Sequence, residues 1–177
     1  MAKITSFRPA LPDLKDIVSF DDFFGTAKRK FPIYLSDGYY RQQDENCIFI
    51  QRISKGGRSH TGIIACAHVQ DYIDGQIKKH EHTLAAKEVQ MGDLFRERNG
   101  VIKPILLTYP NVLEIDALLN RLTVALPYSF KIPFEDEEHT FWQLTDQNHI
   151  ETIKNLFQRH IKASYICDGH HRVVTAE

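Results

Sequence analysis

The sequence predicts an α+β fold, with a mixed sheet packed against helices. Three observations carry this expectation. Short apolar runs of strand type, such as Cys47–Ile53 and Tyr165–Cys167, are bounded by glycine or polar turns. Between them lie stretches with apolar residues at helical spacing; Ile150, Ile153, Leu156 and Phe157 make one clear stripe. A chain of 177 residues suffices for one hydrophobic core, or for a core with a small subdomain.

Residues 1–30 read as a weakly patterned lead-in. Arg8-Pro9-Ala10-Leu11-Pro12 excludes regular helix, because each proline fixes its own φ and restricts its predecessor. Asp21–Lys30 reads as a short helix whose Lys28-Arg29-Lys30 end suits the negative pole of the helix dipole. A single α+β domain then spans 31–177. It opens with an antiparallel meander over residues 31–75: Ile33-Tyr34-Leu35, a turn at Ser36-Asp37-Gly38, Tyr39–Gln42, the strand Cys47–Ile53, a turn at Lys55-Gly56-Gly57-Arg58 and a return strand Thr61–Val69. The aromatic side chains here serve packing, since strands favour them on a half-buried surface.

Thr83 caps a helix that carries Leu84, Met91, Leu94 and Phe95 on one face and ends at Asn99-Gly100. Val101–Tyr109 is expected as a strand, and Pro104 puts it near an edge or at a bulge. Asn111 caps the next helix, through about Leu122, with Ile115, Leu118, Leu119 and Leu122 on its apolar side. Val124–Ile132 is expected to be extended and broken at Pro127. Phe134-Glu135-Asp136-Glu137-Glu138-His139 reads as a solvated acidic loop that could also hold a divalent ion. Thr140–Leu144 is a strand, and Asp146 caps a helix ending in Arg159-His160. Tyr165–Cys167 is the last strand, Asp168-Gly169 a turn, and Val173 the start of a further element.

Composition narrows the function classes. Hydrophobic content of 42% and charge of 25% are those of an ordinary soluble globular protein. A net charge of −1 supplies no field that would recruit nucleic acid or an anionic membrane. No apolar run approaches ~20 residues, so no membrane span is expected. The stretch Met1-Ala2-Lys3-Ile4-Thr5 has no secretory pattern, which points to a cytoplasmic location. Cys47, Cys66 and Cys167 lack any CxxC spacing and read as free buried thiols, with Cys167 inert on its strand.

Chemistry concentrates in two stretches. A strand, a glycine turn and a helix start at Asp168–Arg172 would aim backbone N–H groups and a dipole at one point, and His170, His171 and Arg172 would add cationic donors for a phosphate. A hairpin with a charged tip is the alternative. Glu81, just ahead of a helix start, is either a base or a charge favoured there by the dipole. His80-Glu81-His82 is not the zincin motif, because Leu84 stands where the second histidine belongs. A metal centre would need His80 and His82 brought to His170 and His171. Phosphoryl transfer asks for less: positioned donors, usually Mg²⁺, and a carboxylate to take a hydroxyl proton. Asp168 could hold that ion or shape its turn.

His80-Glu81-x-Thr83, the segment Asn99–Leu107 and Tyr165-Ile166-Cys167-Asp168-Gly169-His170-His171-Arg172 together resemble a large bacterial family, domain of unknown function 1015. Tyr39–Gln42, Thr61-Gly62 and Gly75–Glu81 are similar to it as well, so that the resemblance covers roughly residues 31–177. That family is in turn similar to the ParB/sulfiredoxin superfamily, which includes free-serine kinases. The resemblance implies a ParB/sulfiredoxin-like core, with Gly169, His170, His171 and Arg172 gripping nucleotide phosphates beside His80 and Thr83. It implies Glu81 as the catalytic base and ATP or ADP with Mg²⁺ as the cofactor. The chain is then expected to be a phosphotransferase acting on a small hydroxyl compound such as an amino acid, or a nucleotide-sensing module without transfer to an acceptor. His170 stands where sulfiredoxins need a cysteine, so sulfinic acid reduction is not expected. Val173 replaces the aromatic residue usual after the box arginine. Members are typically longer, and the chain reads as an N-terminal fragment or a reduced version of that architecture.

Overall fold

The computed structural model describes residues 3–17, 19–79, 92, 93, 96 and 100–174. In chain order the elements are β1 (Ile4–Thr5), β2 (Ala10–Pro12), α1 (Phe20–Ser36), β3 (Tyr40–Gln42), β4 (Ile48–Lys55), β5 (Arg58–Ile64), β6 (Cys66–Ala67), α2 (Val69–Ile73) and β7 (Ile77–Lys78). There follow β8 (Leu106–Thr108), α3 (Leu113–Ala125), β9 (Phe130–Phe134), β10 (Glu137–Leu144), α4 (Gln147–His160), β11 (Ser164–Asp168) and α5 (His170–Val174). The class is α+β, as the alternation of strand runs and helical stripes predicts. None of the helices among the described residues is long and apolar enough to cross a membrane.

The larger sheet is antiparallel, in the order β5-β4-β10-β9. Its first hairpin turns at Gly56-Gly57, where both residues have positive φ, 55° and 77°, a conformation that costs glycine nothing. Cross-strand pairs set Ile50 opposite Trp142 and Ile48 opposite Leu144. The face that carries them packs on α3 and α4, whose Ile115, Leu118, Leu119, Leu122, Ile153 and Phe157 complete the main core. Arg52 lies at the margin of this core. Its guanidinium sits 5.3 Å from the Trp142 ring centroid and donates to the Thr61 and Thr123 hydroxyls at 3.1 and 2.8 Å.

The smaller sheet is mixed, in the order β7-β11-β8. β11 runs parallel to β7 and antiparallel to β8. Its inner face joins Ile166 to Tyr72 of α2, Ile77 of β7 and Val173 of α5 in a second buried cluster. The strand expected over Val101–Tyr109 is confined to Leu106–Thr108, which pairs with β11. Pro104 lacks the N–H a ladder needs, so the chain joins the sheet only beyond it.

Three further expectations are corrected. The helix expected over Asp21–Lys30 extends from Phe20 to Ser36, so Ile33-Tyr34-Leu35 is helical rather than extended. Ser19 caps it by accepting from the Asp22 N–H, and Pro32 is accommodated inside it. Packing of rings decides the matter, since Tyr34 stacks on Phe23 at 4.7 Å and Tyr40 on Phe23 at 5.5 Å. The segment Val124–Ile132 is split, with α3 running to Ala125 and β9 beginning at Phe130. The acidic stretch 134–139 is a hairpin. Glu135 takes φ 53° at the turn, and β10 starts at Glu137. Its acids face lysines: Asp136 and Glu137 meet Lys55 at 2.8 and 3.3 Å, and Glu138 meets Lys131 at 2.8 Å. Residues of the lead-in are tied to later strands, β1 to β6 and β2 to β3.

Candidate functional site

The site is built where β11 ends. A bulge between Ile166 and Asp168 interrupts its pairing with β8. Ile166 is buried, and both Cys167 and Asp168 are then exposed, which strict alternation would not allow. Cys167 is therefore not the buried thiol expected; Cys66 is exposed too, and Cys47 alone of the three is buried.

Gly169 follows with φ 96°, and its carbonyl accepts from the N–H groups of Arg172 and Val173 at 2.9 and 3.2 Å, starting α5. This turn folds the Arg172 side chain back over Gly169. Its Nη2 donates to Asp168 Oδ2 at 2.7 Å and to the Pro104 carbonyl at 3.2 Å. A Cβ on residue 169 would lie 2.6 Å from that nitrogen and 2.8 Å from Ile105 Cγ2, so the space belongs to glycine. Lys103 adds a second cation, its Nζ 3.7 Å from Asp168 Oδ2. The hydrogen bond from Arg172 holds the Asp168 carboxyl below its ordinary pKa, with help from the charges of Arg172 and Lys103 and the Gly169 N–H. His170 is buried, and His171 is half-buried.

Of the residues the sequence singles out, the structure brings Asp168, Gly169, His170, His171 and Arg172 together in one turn. His80, Glu81 and Thr83 lie outside the described residues, as does His82. In the helix expected beyond Thr83, Gly92, Asp93 and Arg96 are helical. Sequence reasoning gave Lys103, Pro104 and Ile105 no part in this turn, and the Pro104 carbonyl meets Arg172 from 68 positions upstream. Nothing local in the sequence announces such a contact.

Because β7 and β11 are parallel neighbours, with Lys78 opposite Tyr165, the chain leaves both strands at the same end of the sheet. In open sheets with parallel strands, ligands bind outside the carboxyl ends. Lys79 follows β7 there, its Nζ 4.5 Å from the Tyr72 ring centroid. A groove of about 430 Å³, lined by Tyr72, Ile73, Gly75, Ile77, Lys78 and Lys79, opens beside the strand. Lys78 and Lys79 thus stand at the end of β7, and Lys103 and Arg172 meet Asp168 at the end of β11. Among the described residues, no group of three or more His, Cys, Asp or Glu side chains converges as a metal cage. The exposed Asp168 carboxylate is itself already engaged by Arg172 at 2.7 Å and Lys103 at 3.7 Å.

Compared with models of known protein families, residues 8–177 match the one described as protein of unknown function, DUF1015. No curated protein and no solved structure matches the chain.

Proposed function

We propose, from the premise that this chain belongs to the DUF1015 family over residues 8–177, that it binds a nucleotide by its phosphates and transfers a phosphoryl group to a small hydroxyl compound such as an amino acid. The observation that supports this reading best is Arg172, held across Gly169 by Asp168 and the Pro104 carbonyl at the carboxyl end of β11. A guanidinium fixed in this way loses little freedom on meeting an anion. Lys103 adds charge from a second segment. The similarity of the motifs to the ParB/sulfiredoxin superfamily, and to its free-serine kinases, supplies the reaction class.

Asp168 would repel a phosphate unless a cation stood between them. Mg²⁺, when bound, would neutralise that charge, drawing the Asp168 carboxylate away from its bond with Arg172. Glu81 follows β7 by three residues in the sequence. In this reading the acceptor hydroxyl attacks the terminal phosphorus, Glu81 takes its proton, and the nucleoside diphosphate leaves.

A second reading has an observation of its own. Arg172 already has a carboxylate partner 2.7 Å away, so an arriving phosphate must share or displace it. A displaced ion pair is a signal, which suits a nucleotide-sensing module without transfer. Thermal shift over a nucleotide panel, with and without Mg²⁺, tests the binding that both readings need. A ligand at 100 times its dissociation constant should add about 2.7 kcal/mol of stability. Glu81→Gln then separates them. In a kinase it keeps nucleotide binding and loses about 10²–10⁴ in rate; an absence of transfer to any acceptor in the native chain favours the sensor.

A further inference from the structure

The groove beside β7 has no part in the phosphate turn. Its apolar lining is Tyr72, Ile73 and Ile77; Lys78 and Lys79 line it as well and are exposed. Among the described residues the lining holds two ammonium groups and no carboxylate. The acids nearest in the chain are engaged elsewhere. Asp71 is buried and accepts from the Lys3 N–H at 2.6 Å, and Asp74 accepts from Gln70 Nε2 at 2.7 Å. Tyr72 is 4% exposed, and its hydroxyl is buried with no hydrogen-bond partner. A buried hydroxyl left unmet is a cost to the fold, and in a native protein it asks for a ligand, an ordered water or a catalytic role. At about 430 Å³ the groove falls within the roughly 300–1,000 Å³ of small-molecule sites.

We propose that this groove holds the acceptor of the phosphoryl group, and that the acceptor is a hydroxy acid with an apolar body. The proposal rests on the transfer reading above. Displacement at phosphorus sets the attacking and leaving oxygens roughly in line, on opposite sides of the phosphorus. Glu81, the base in that reading, follows Lys78 by three residues in the sequence. The acceptor therefore belongs on the β7 side, and the rest of the nucleotide on the other. Tyr165 is level with Lys78 in the parallel register, so Asp168 lies roughly 10 Å further along the sheet. An acceptor that spans from the lysines to a phosphate at Arg172 needs a body of about that length, and serine is too short.

Charge selects the acid. Lys78 and Lys79 attract a carboxylate, whereas the ammonium of an amino acid would meet two like charges. An acceptor already phosphorylated would set further negative charge beside the group being transferred. Ile73, Ile77 and the ring of Tyr72 suit the apolar body, and the Tyr72 hydroxyl suits one polar atom of the acid. In the step itself the acceptor oxygen bonds to the terminal phosphorus as the bond to the nucleotide's bridging oxygen breaks. The hydroxyl proton goes to Glu81, and the product is a phosphate monoester of the acid.

Calorimetry on the full chain tests this, alone and then with ATP or ADP and Mg²⁺. The probes are phenyllactate and hydroxyhexanoate as acids, serine as the amino acid and phenylpropanediol as the neutral analogue. Both acids should bind about tenfold more tightly than serine or the diol. Lys78→Gln combined with Lys79→Gln should weaken acid binding about tenfold and remove that preference. Ile73→Glu, at a position 57% exposed where folding runs little risk, should do the same by setting a carboxylate in the groove. Tyr72→Phe should weaken acid binding without lowering the melting temperature, because the fold does not pair the hydroxyl it removes. Arg172→Ala should weaken nucleotide binding and leave the acids' affinity unchanged. Acids that bind no better than the diol overturn the proposal, as do acids that the double lysine variant and a folded Ile73→Glu chain both hold as tightly as the native chain. Acids and nucleotide bound together that yield no phosphate monoester by phosphorus NMR overturn the acceptor role. Acids bound as expected by a chain that captures no nucleotide uphold the ligand class of the groove and overturn the transfer reading instead.

Discussion

At Gly169 the requirement for one residue type is steric and conformational together. Gly169→Ala would strain a φ of 96° and drive a methyl into the Arg172 guanidinium and Ile105. The strain alone costs about 1–3 kcal/mol. Arg172 would lose its place over the turn, so the variant should melt earlier and lose the stabilisation by nucleotide. Arg172→Ala should weaken nucleotide binding tenfold to a hundredfold, since a charge-assisted hydrogen bond contributes roughly 1.5–3 kcal/mol. Titration calorimetry checks both variants, and unchanged affinity in a folded Arg172→Ala chain removes the phosphate role. Cysteine gives an independent check on the local structure. Burial pushes the Cys47 thiol up to about 11, whereas Cys66 and Cys167 are exposed. Two thiols per chain should therefore react with a thiol reagent in the native state and the third only on unfolding. The Asp168 carboxyl is depressed in the fold, so its contribution to stability is present above the unfolded pKa and fades as pH falls through the lower folded value. Asp168→Asn should flatten the acid limb of a melting profile below about pH 4.

The elements were legible to the extent that their signals are local. α4 is read in full from its sequence: Asp146 accepts from the His149 N–H, the apolar stripe reaches the core, and Arg159-His160 closes the last turn. Asp146→Ala should cost about 1 kcal/mol, measurable by urea denaturation. The glycine hairpin between β4 and β5 is as plain, because Gly56-Gly57 permits little else. Where the signals failed, contacts remote in sequence decided. Ile33-Tyr34-Leu35 has strand composition, yet the ring of Tyr34 finds Phe23 along a helix. Residues 134–139 look like a solvated loop, yet Lys55 and Lys131 draw three of their acids into a hairpin. The candidate site divides in the same manner. Asp168-Gly169 declares its own turn, whereas the Pro104 carbonyl that steadies Arg172 comes from another segment.

Among the described residues, two buried clusters of unequal size hold the fold. The larger contains Trp142, the single tryptophan, whose indole donates to the Leu126 carbonyl at 3.2 Å. The smaller joins Tyr72, Ile77, Ile166 and Val173 beneath the candidate site. Fewer buried contacts make a region open more readily. Amide exchange in β7, β8 and β11 should thus be faster than in β4 and β10, and nucleotide should slow it selectively. The parallel partners β7 and β11 also fix an order of events in time. Ile77 pairs with Ser164, and synthesis of the roughly 87 residues between them takes about 4–17 s at 5–20 residues per second. Throughout that interval the nascent chain carries a strand whose partner has not yet been made. The candidate site can form only after β11 has emerged, so a ribosome stalled between the two strands should hold a chain able to form the β4–β5 hairpin but lacking the turn proposed to bind nucleotide.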